Sequence, residues 1–298
     1  MLTEIRKSIG ACCLASIALA LVVGHGKPVS AHDDKPRLYA AVVDGKGKPV
    51  KGLTAADVGV RLDGRDQEIV SVQPATEPLS IVLLTDRLGL VSTYPAYEAH
   101  AALSNFVKTI RTAVPDSKFG LITFDGTVIT LNTFASGPAE LEKNLGKLTS
   151  NSQDSVVVDG LLEACRMMRT APTSRKVIFT LASGYRPDQS NVRNDTISEV
   201  LRLSGAQLWV IEARSAQGGN WANEVREQVL DHGSQATGGK IDIVSSSSGL
   251  EAQAKDMAEL IASQYEVVYG PGGGSATSLL TVRVKPGLTV FAPRWIDK

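Results

Sequence analysis

Ser80-Ile81-Val82-Leu83-Leu84-Thr85-Asp86-Arg87-Leu88-Gly89-Leu90 decides the fold of this 298-residue chain. Four apolar residues in a row, Ile81 to Leu84, two of them β-branched, read as a strand buried on both faces. The run stops at one carboxylate, Asp86, and a helical pattern follows. In open parallel sheets, ligands lie where a strand's carboxyl end meets its loop, so Asp86 is a candidate site residue.

Downstream, strands and helices alternate. Ala99, Ala102, Leu103, Phe106, Val107 and Ile110 fall at i, i+3, i+4, i+7, i+8 and i+11, the stripe of an amphipathic helix. Residues 119–124 and 128–131 read as strands parted by Asp125-Gly126, a hairpin signal. Val157, Leu161, Ala164, Cys165 and Met168 form a second helical stripe. Buried-strand runs follow at 177–181 and 208–211, with a polar helix at about 192–203 between them. A helix over about 220–235, a short strand at 241–244 and a stripe from Leu250 to Ile261 complete the pattern. This order predicts an α/β fold with a doubly wound, mostly parallel sheet flanked by helices.

The flanks read differently. Residues 38–43, 58–62 and 68–72 are short strands punctuated by Asp44-Gly45 and Asp63-Gly64. Beyond Gln264, residues 265–269, 279–284 and 288–291 read as a β meander, with Gly270-Pro271-Gly272-Gly273-Gly274 as a hairpin tip. Neither flank alone buries enough surface to be stable, so the two are expected to pair into a small β module. The expected boundaries are 37–78 for its first part, 79–264 for the α/β domain and 265–298 for its closing strands.

Arg6 and Lys7, then an uncharged run from Ile9 to Val23, then the small residues around Val29-Ser30-Ala31, have the layout of a secretory signal peptide over 1–31. The competing reading is a membrane anchor, but the run is shorter than the ~20 residues a spanning helix needs. The chain is therefore expected to be exported, periplasmic or secreted, with no stable membrane span after cleavage. Equal counts of basic and acidic residues, 31 each, and no block of Lys or Arg argue against a nucleic-acid partner. Cys165 is the one cysteine beyond the signal segment, so no disulfide framework is expected.

The segment 44–62, DGKGKPVKGLTAADVGVRL, followed by Asp63-Gly64, resembles the N-terminal signature of the bacterial von Willebrand factor A-related family. Residues 261–285, with Ser263-Gln264-Tyr265 and the 282–286 stretch, resemble its C-terminal strands. The 80–90 segment resembles the first loop of a von Willebrand factor A-like domain, whose metal site there reads Asp-x-Ser-x-Ser. What the resemblance implies is a magnesium held by oxygens from three loops plus waters, with the partner donating a carboxylate to an open position.

Carried over residue by residue, Asp86 matches the first aspartate, and Leu88 and Leu90 stand at the two serine places. Ser155 matches the second-loop threonine, and Ser183 stands where many members have aspartate. Leucines offer no oxygen, and the missing third-loop carboxylate removes a charge that a hard dication needs. The adhesion site is thus degenerate and no structural metal is expected; a weak magnesium on Asp86 and Ser155, completed by water, is the alternative. Leu88 and Leu90, with Tyr94, Tyr97 and Tyr185 nearby, form a candidate apolar lip for a protein or other extracellular macromolecule. Packing against the module's own loops is the competing reading.

Enzyme signals are lacking. No G-x-S-x-G turn occurs, and His32, His100 and His232 are isolated, without H-E-x-x-H or paired cysteines. Asp125 and Asp159 are expected to be turn and helix-surface carboxylates. The function expected is a non-catalytic binding module using loops at the carboxyl edge of the sheet. The rival classes are an envelope scaffold that has lost ligand binding and a hydrolase.

Overall fold

The computed structural model describes residues 35–86, 96–148, 154–183, 188–213, 224–245, 249–270 and 277–297. Four strands come first: β1 (Arg37–Val43), β2 (Val58–Leu62), β3 (Arg65–Gln67) and β4 (Ile69–Pro74). The α/β run begins with β5 (Leu79–Thr85), α1 (Ala96–Ala113), β6 (Lys118–Thr123), β7 (Ile129–Asn132) and α2 (Pro138–Leu145). It continues through α3 (Val157–Met168), β8 (Arg175–Ser183), α4 (Asn194–Ser204), β9 (Gln207–Ala213), α5 (Glu224–Thr237), β10 (Ile241–Val244) and α6 (Leu250–Ala262). The closing strands are β11 (Tyr265–Tyr269), β12 (Thr277–Val284), β13 (Thr289–Phe291) and β14 (Trp295–Asp297).

The central sheet has the order β10-β9-β8-β5-β6-β7, parallel except for the β7 edge. Every residue of β5 is buried, as a strand covered on both faces requires. Alternation splits it: Leu79, Ile81 and Leu83 share a core with Phe106 of α1 and Met257 of α6. Val82 and Leu84 share the other with Leu161 of α3, Leu201 of α4 and Val229 of α5. The chain therefore winds outward in both directions from β5 and β8, and the switch point lies between them. The doubly wound, mostly parallel sheet read from the sequence is what folds. The helix α2 is not announced by periodicity; it is too short for a stripe and starts on Pro138 at its first position.

The terminal strands pair across the chain's whole length. One sheet runs β13-β1-β11-β4 and another β14-β12-β2-β3, antiparallel throughout. Leu38, Val60, Val267 and Leu280 pack in one core from the two sheets. The expected meander is corrected here: β11 pairs with β1 and β4, whereas β12 pairs with β2 and β14. β11 and β12 therefore do not form a hairpin with each other, and the expected glycine-rich tip falls at residues 271–274, which with 275 and 276 lie outside the described residues. Alternation reports which face a strand buries and is silent on which neighbour it pairs with.

A buried arginine joins these strands to the amino edge of the central sheet. Arg175, at the start of β8 and 1% exposed, donates to the carbonyls of Ala75 (3.2 Å), Glu77 (2.7 Å) and Ile261 (3.2 Å) and to Gln264 Oε1 (3.3 Å). Its guanidinium also lies 5.5 Å from the centre of the Tyr39 ring. Gln264 donates to Gln207, which donates in turn to the Tyr39 carbonyl. A planar fork with five donors suits such a cluster of acceptors. The join occupies the amino edge of the sheet, opposite the carboxyl ends of β5 and β8.

Candidate binding face at the carboxyl ends of the parallel strands

Asp86 stands one residue past β5, and its N–H donates to the Leu181 carbonyl at 3.4 Å, prolonging the parallel ladder with β8. It is 1% exposed. Thr85 Oγ1 donates to the Asp86 carbonyl at 2.8 Å, fixing the strand end. At the neighbouring strand end, Asp125 follows β6 and is 2% exposed. The expectation of an ordinary turn carboxylate at Asp125 is corrected: the residue turns the chain, but it does so sealed from water, next to the switch point.

Ser155 lies between two chain segments. It bridges Asp125 in antiparallel sense and Asp188 in parallel sense. Val156 N–H donates to Phe124 O (3.0 Å), Gly126 N–H to Asp154 O (3.2 Å), and Gln189 N–H to Ser155 O (2.7 Å). The 154–156 segment is thereby laid as an extra rung over the sheet's end. Ser155 is 1% exposed, and its Oγ has no hydrogen-bond partner among the described residues. A sealed hydroxyl in this state costs ~1–3 kcal/mol, so such groups call for an explanation.

A clasp of side chains fastens 188–192 to the start of α3. Asp159 accepts the N–H groups of Asn191 and Val192, while Ser190 Oγ accepts the N–H of Asp159 (3.1 Å) and donates to Asp188 Oδ1 (2.7 Å). Asp159 is the partly exposed carboxylate on α3 that the sequence suggests, and it also holds a crossing segment in place. Burial pushes the Asp188 carboxyl above the usual range, opposed by bonds from Ser190, the charge of Arg226 and the N–H of Val157 at the helix start.

The third strand end carries Glu212. In the register of β8 and β9 it pairs with Ala182, the residue next to which Asp86 prolongs β5. Asp86 and Glu212 thus share one row and, by alternation, one face of the sheet. Arg226 of α5 reaches Glu212, with Nη2 3.6 Å from Oε1, and both residues are 3% exposed. Residue-type reasoning passed over Asp188, Glu212 and Arg226. Two signals were available: Glu212 ends an apolar run as Asp86 does, and Arg226, Val229 and Leu230 are spaced i, i+3, i+4 on a buried helix face.

Of the expected site residues, the structure brings Asp86 and Ser155 to one edge of the sheet, both buried. Ser183 is the last residue of β8, in register with Ala213. Leu88, Leu90, Tyr94 and Tyr185 lie outside the described residues, so the apolar lip does too. Among the described residues, no three His, Cys, Asp or Glu side chains gather in a way that could hold a metal ion. Cys165 is on the buried face of α3, its thiol pushed up to about 12 by burial, and His100 Nε2 meets Ser104 Oγ of its own helix at 3.3 Å. No described helix is long and apolar enough to cross a membrane.

No protein-family model matches the chain, and no curated protein matches it. Solved structures do. Proximal thread matrix protein 1 from the mussel byssus aligns at 15% identity and a TM-score of 0.48, over 76% of this chain and 50% of that one. A von Willebrand factor type A structure from Catenulispora acidiphila aligns at 12% identity and 0.46, over 87% and 74%. The pilus adhesin SpaC from Lactobacillus rhamnosus GG aligns at 13% identity and 0.48, over 77% and 44%. The chain spans about half the length of the mussel protein it matches.

Proposed function

We propose that this chain is an exported, non-catalytic binding module of von Willebrand factor A-like type. In this reading it recognises a protein or other macromolecule through the loops at the carboxyl edge of its parallel sheet. One observation carries the reading: three sealed acids, Asp86, Asp125 and Glu212, lie at strand ends along this edge, and Ser155, whose sealed hydroxyl has no hydrogen-bond partner among the described residues, lies over it beside the segment that Asp159 clasps. Ligands of open α/β sheets bind at that place.

We propose further that recognition proceeds without a resident metal. Asp86 and Ser155 could each give a magnesium one oxygen, and the sealed Ser155 hydroxyl is the kind of atom a ligand would use. The rest of the donor set does not fit. Leucines replace two oxygen donors, and a guanidinium, not an open position, stands beside Glu212. Octahedral magnesium prefers carboxylates and waters over such a surround.

The test is capture from envelope extracts by the unaltered chain and by a Leu88→Asp/Leu90→Asp double variant, each with and without a chelator. The expected result is capture that the chelator leaves unchanged and the double variant loses. Unaltered capture by the double variant would move recognition away from the apolar lip, and loss on chelation would overturn the metal-free reading.

A further inference from the structure

Burying carboxylates demands a compensating cation, because an isolated charge taken out of water costs several kcal/mol even after relaxation. Here Asp86 and Glu212 sit in one register row with Ala182 between them. Strands in a sheet are ~4.8 Å apart, so the two acid-bearing positions are separated by ~10 Å, with Ala182 as the residue between them in the row. Asp188 joins from the clasped segment, with the Val157 N–H on its carboxylate. Buried acids on neighbouring positions of one edge favour a cation close by.

The chain supplies one from α5. Arg226 lies in the first turn of that helix, where the macrodipole disfavours a cation by ~0.3–1 kcal/mol. It is nevertheless turned inward: 3% exposed, 3.6 Å from Glu212, its charge acting on Asp188. A cation placed against the dipole and out of water is retained for what it faces. Guanidinium suits the task because it is weakly hydrated and presents several donors in a plane.

We propose that Arg226 is, among the described residues, the resident cation of this face, a tethered guanidinium doing for Glu212 what a divalent ion would otherwise do. The inference rests on reading this edge as the recognition face. Its consequence is a face whose shape is permanently set, so divalent ions neither switch it on nor bridge it to a partner's carboxylate.

The test needs no partner, so its outcome is separable from failure of the recognition reading. Thermal melts and calorimetry with manganese chloride are run on the unaltered chain, Arg226→Gln and Arg226→Lys. The unaltered chain should show no manganese-dependent rise in its melting midpoint. Arg226→Gln should melt several degrees lower, recover part of that loss in millimolar manganese, and bind the ion at least ~10-fold more tightly than the unaltered chain. Should Arg226→Gln fail to fold, Arg226→Lys keeps the charge and should fold and stay indifferent to manganese. Manganese stabilisation of the unaltered chain or of Arg226→Lys would overturn the proposal. So would an Arg226→Gln chain that folds without gaining manganese affinity.

Discussion

The N–H of Asn191 donates to both carboxylate oxygens of Asp159, at 3.1 and 3.2 Å, and the N–H of Val192 adds a bond of 3.0 Å. Asp159 lies in the first turn of α3, where the helix dipole favours a negative charge. One side chain thus fastens a crossing segment to the helix start beside Ser155. Asp159→Ala should cost ~1–3 kcal/mol. Its signature should be local: hydrogen exchange at Asn191 and Val192 accelerates, while the amides of β5 keep their protection.

Gly160 of α3 is the second point at which the site depends on close packing. A Cβ there would fall 2.9 Å from Phe124 Cβ and 3.1 Å from Leu84 Cδ1. Those residues end the strands that lead to Asp125 and Asp86. Gly160→Ala gains helix propensity but must push α3 off the sheet, so a net loss of ~1–3 kcal/mol is expected in urea denaturation. A neutral or stabilising result would mean that the helix can shift without disturbing the strand ends.

Two tyrosines give the protein an alkaline limit. Burial pushes both Tyr39 and Tyr269 up from 10.0 to about 12, with a bond to Glu77 adding to the effect at Tyr39. The unfolded chain then loses its phenolic protons first. Stability is fully present below pH 10 and drains away as pH rises through 12. Each residue should account for ~1–2 kcal/mol of that loss after allowance for partial solvation. The Tyr269 hydroxyl is sealed with no hydrogen-bond partner among the described residues. Tyr269→Phe should therefore raise stability at neutral pH by ~1 kcal/mol and flatten part of the alkaline decline.

Arg175 makes four bonds that a shorter ammonium cannot reproduce. Arg175→Lys keeps the charge but loses the fork, leaving buried carbonyls unmet, at a cost of ~3 kcal/mol or more. The midpoint of urea unfolding should fall accordingly. A variant as stable as the parent would show that water can replace the guanidinium at this join.

How much was legible beforehand follows from the physics of each signal. The buried run at Ile81–Leu84 and the helical stripe through Phe106 carry their periodicity locally, and both fold as read. Asp86 and Ser155 stand out as candidates in the sequence because a strand end and a resemblance each mark their own position. Asp188, Glu212 and Arg226 meet only through the pairing of β8 with β9 and the docking of α5, which no local pattern encodes. The sheet assignment of β11 and β12 was misread for the same reason. Alternation tells a strand which side to bury, and the partner is chosen by contacts far away in sequence.

On the proposed reading, recognition at Asp86 and Ser155 needs no bound ion. Anomalous diffraction at the manganese edge, from crystals grown in millimolar manganese, tests it most directly. The expected map carries no anomalous peak beside Asp86. A six-coordinate manganese touching the Asp86 carboxylate, with Ser155 Oγ in its shell, would contradict it.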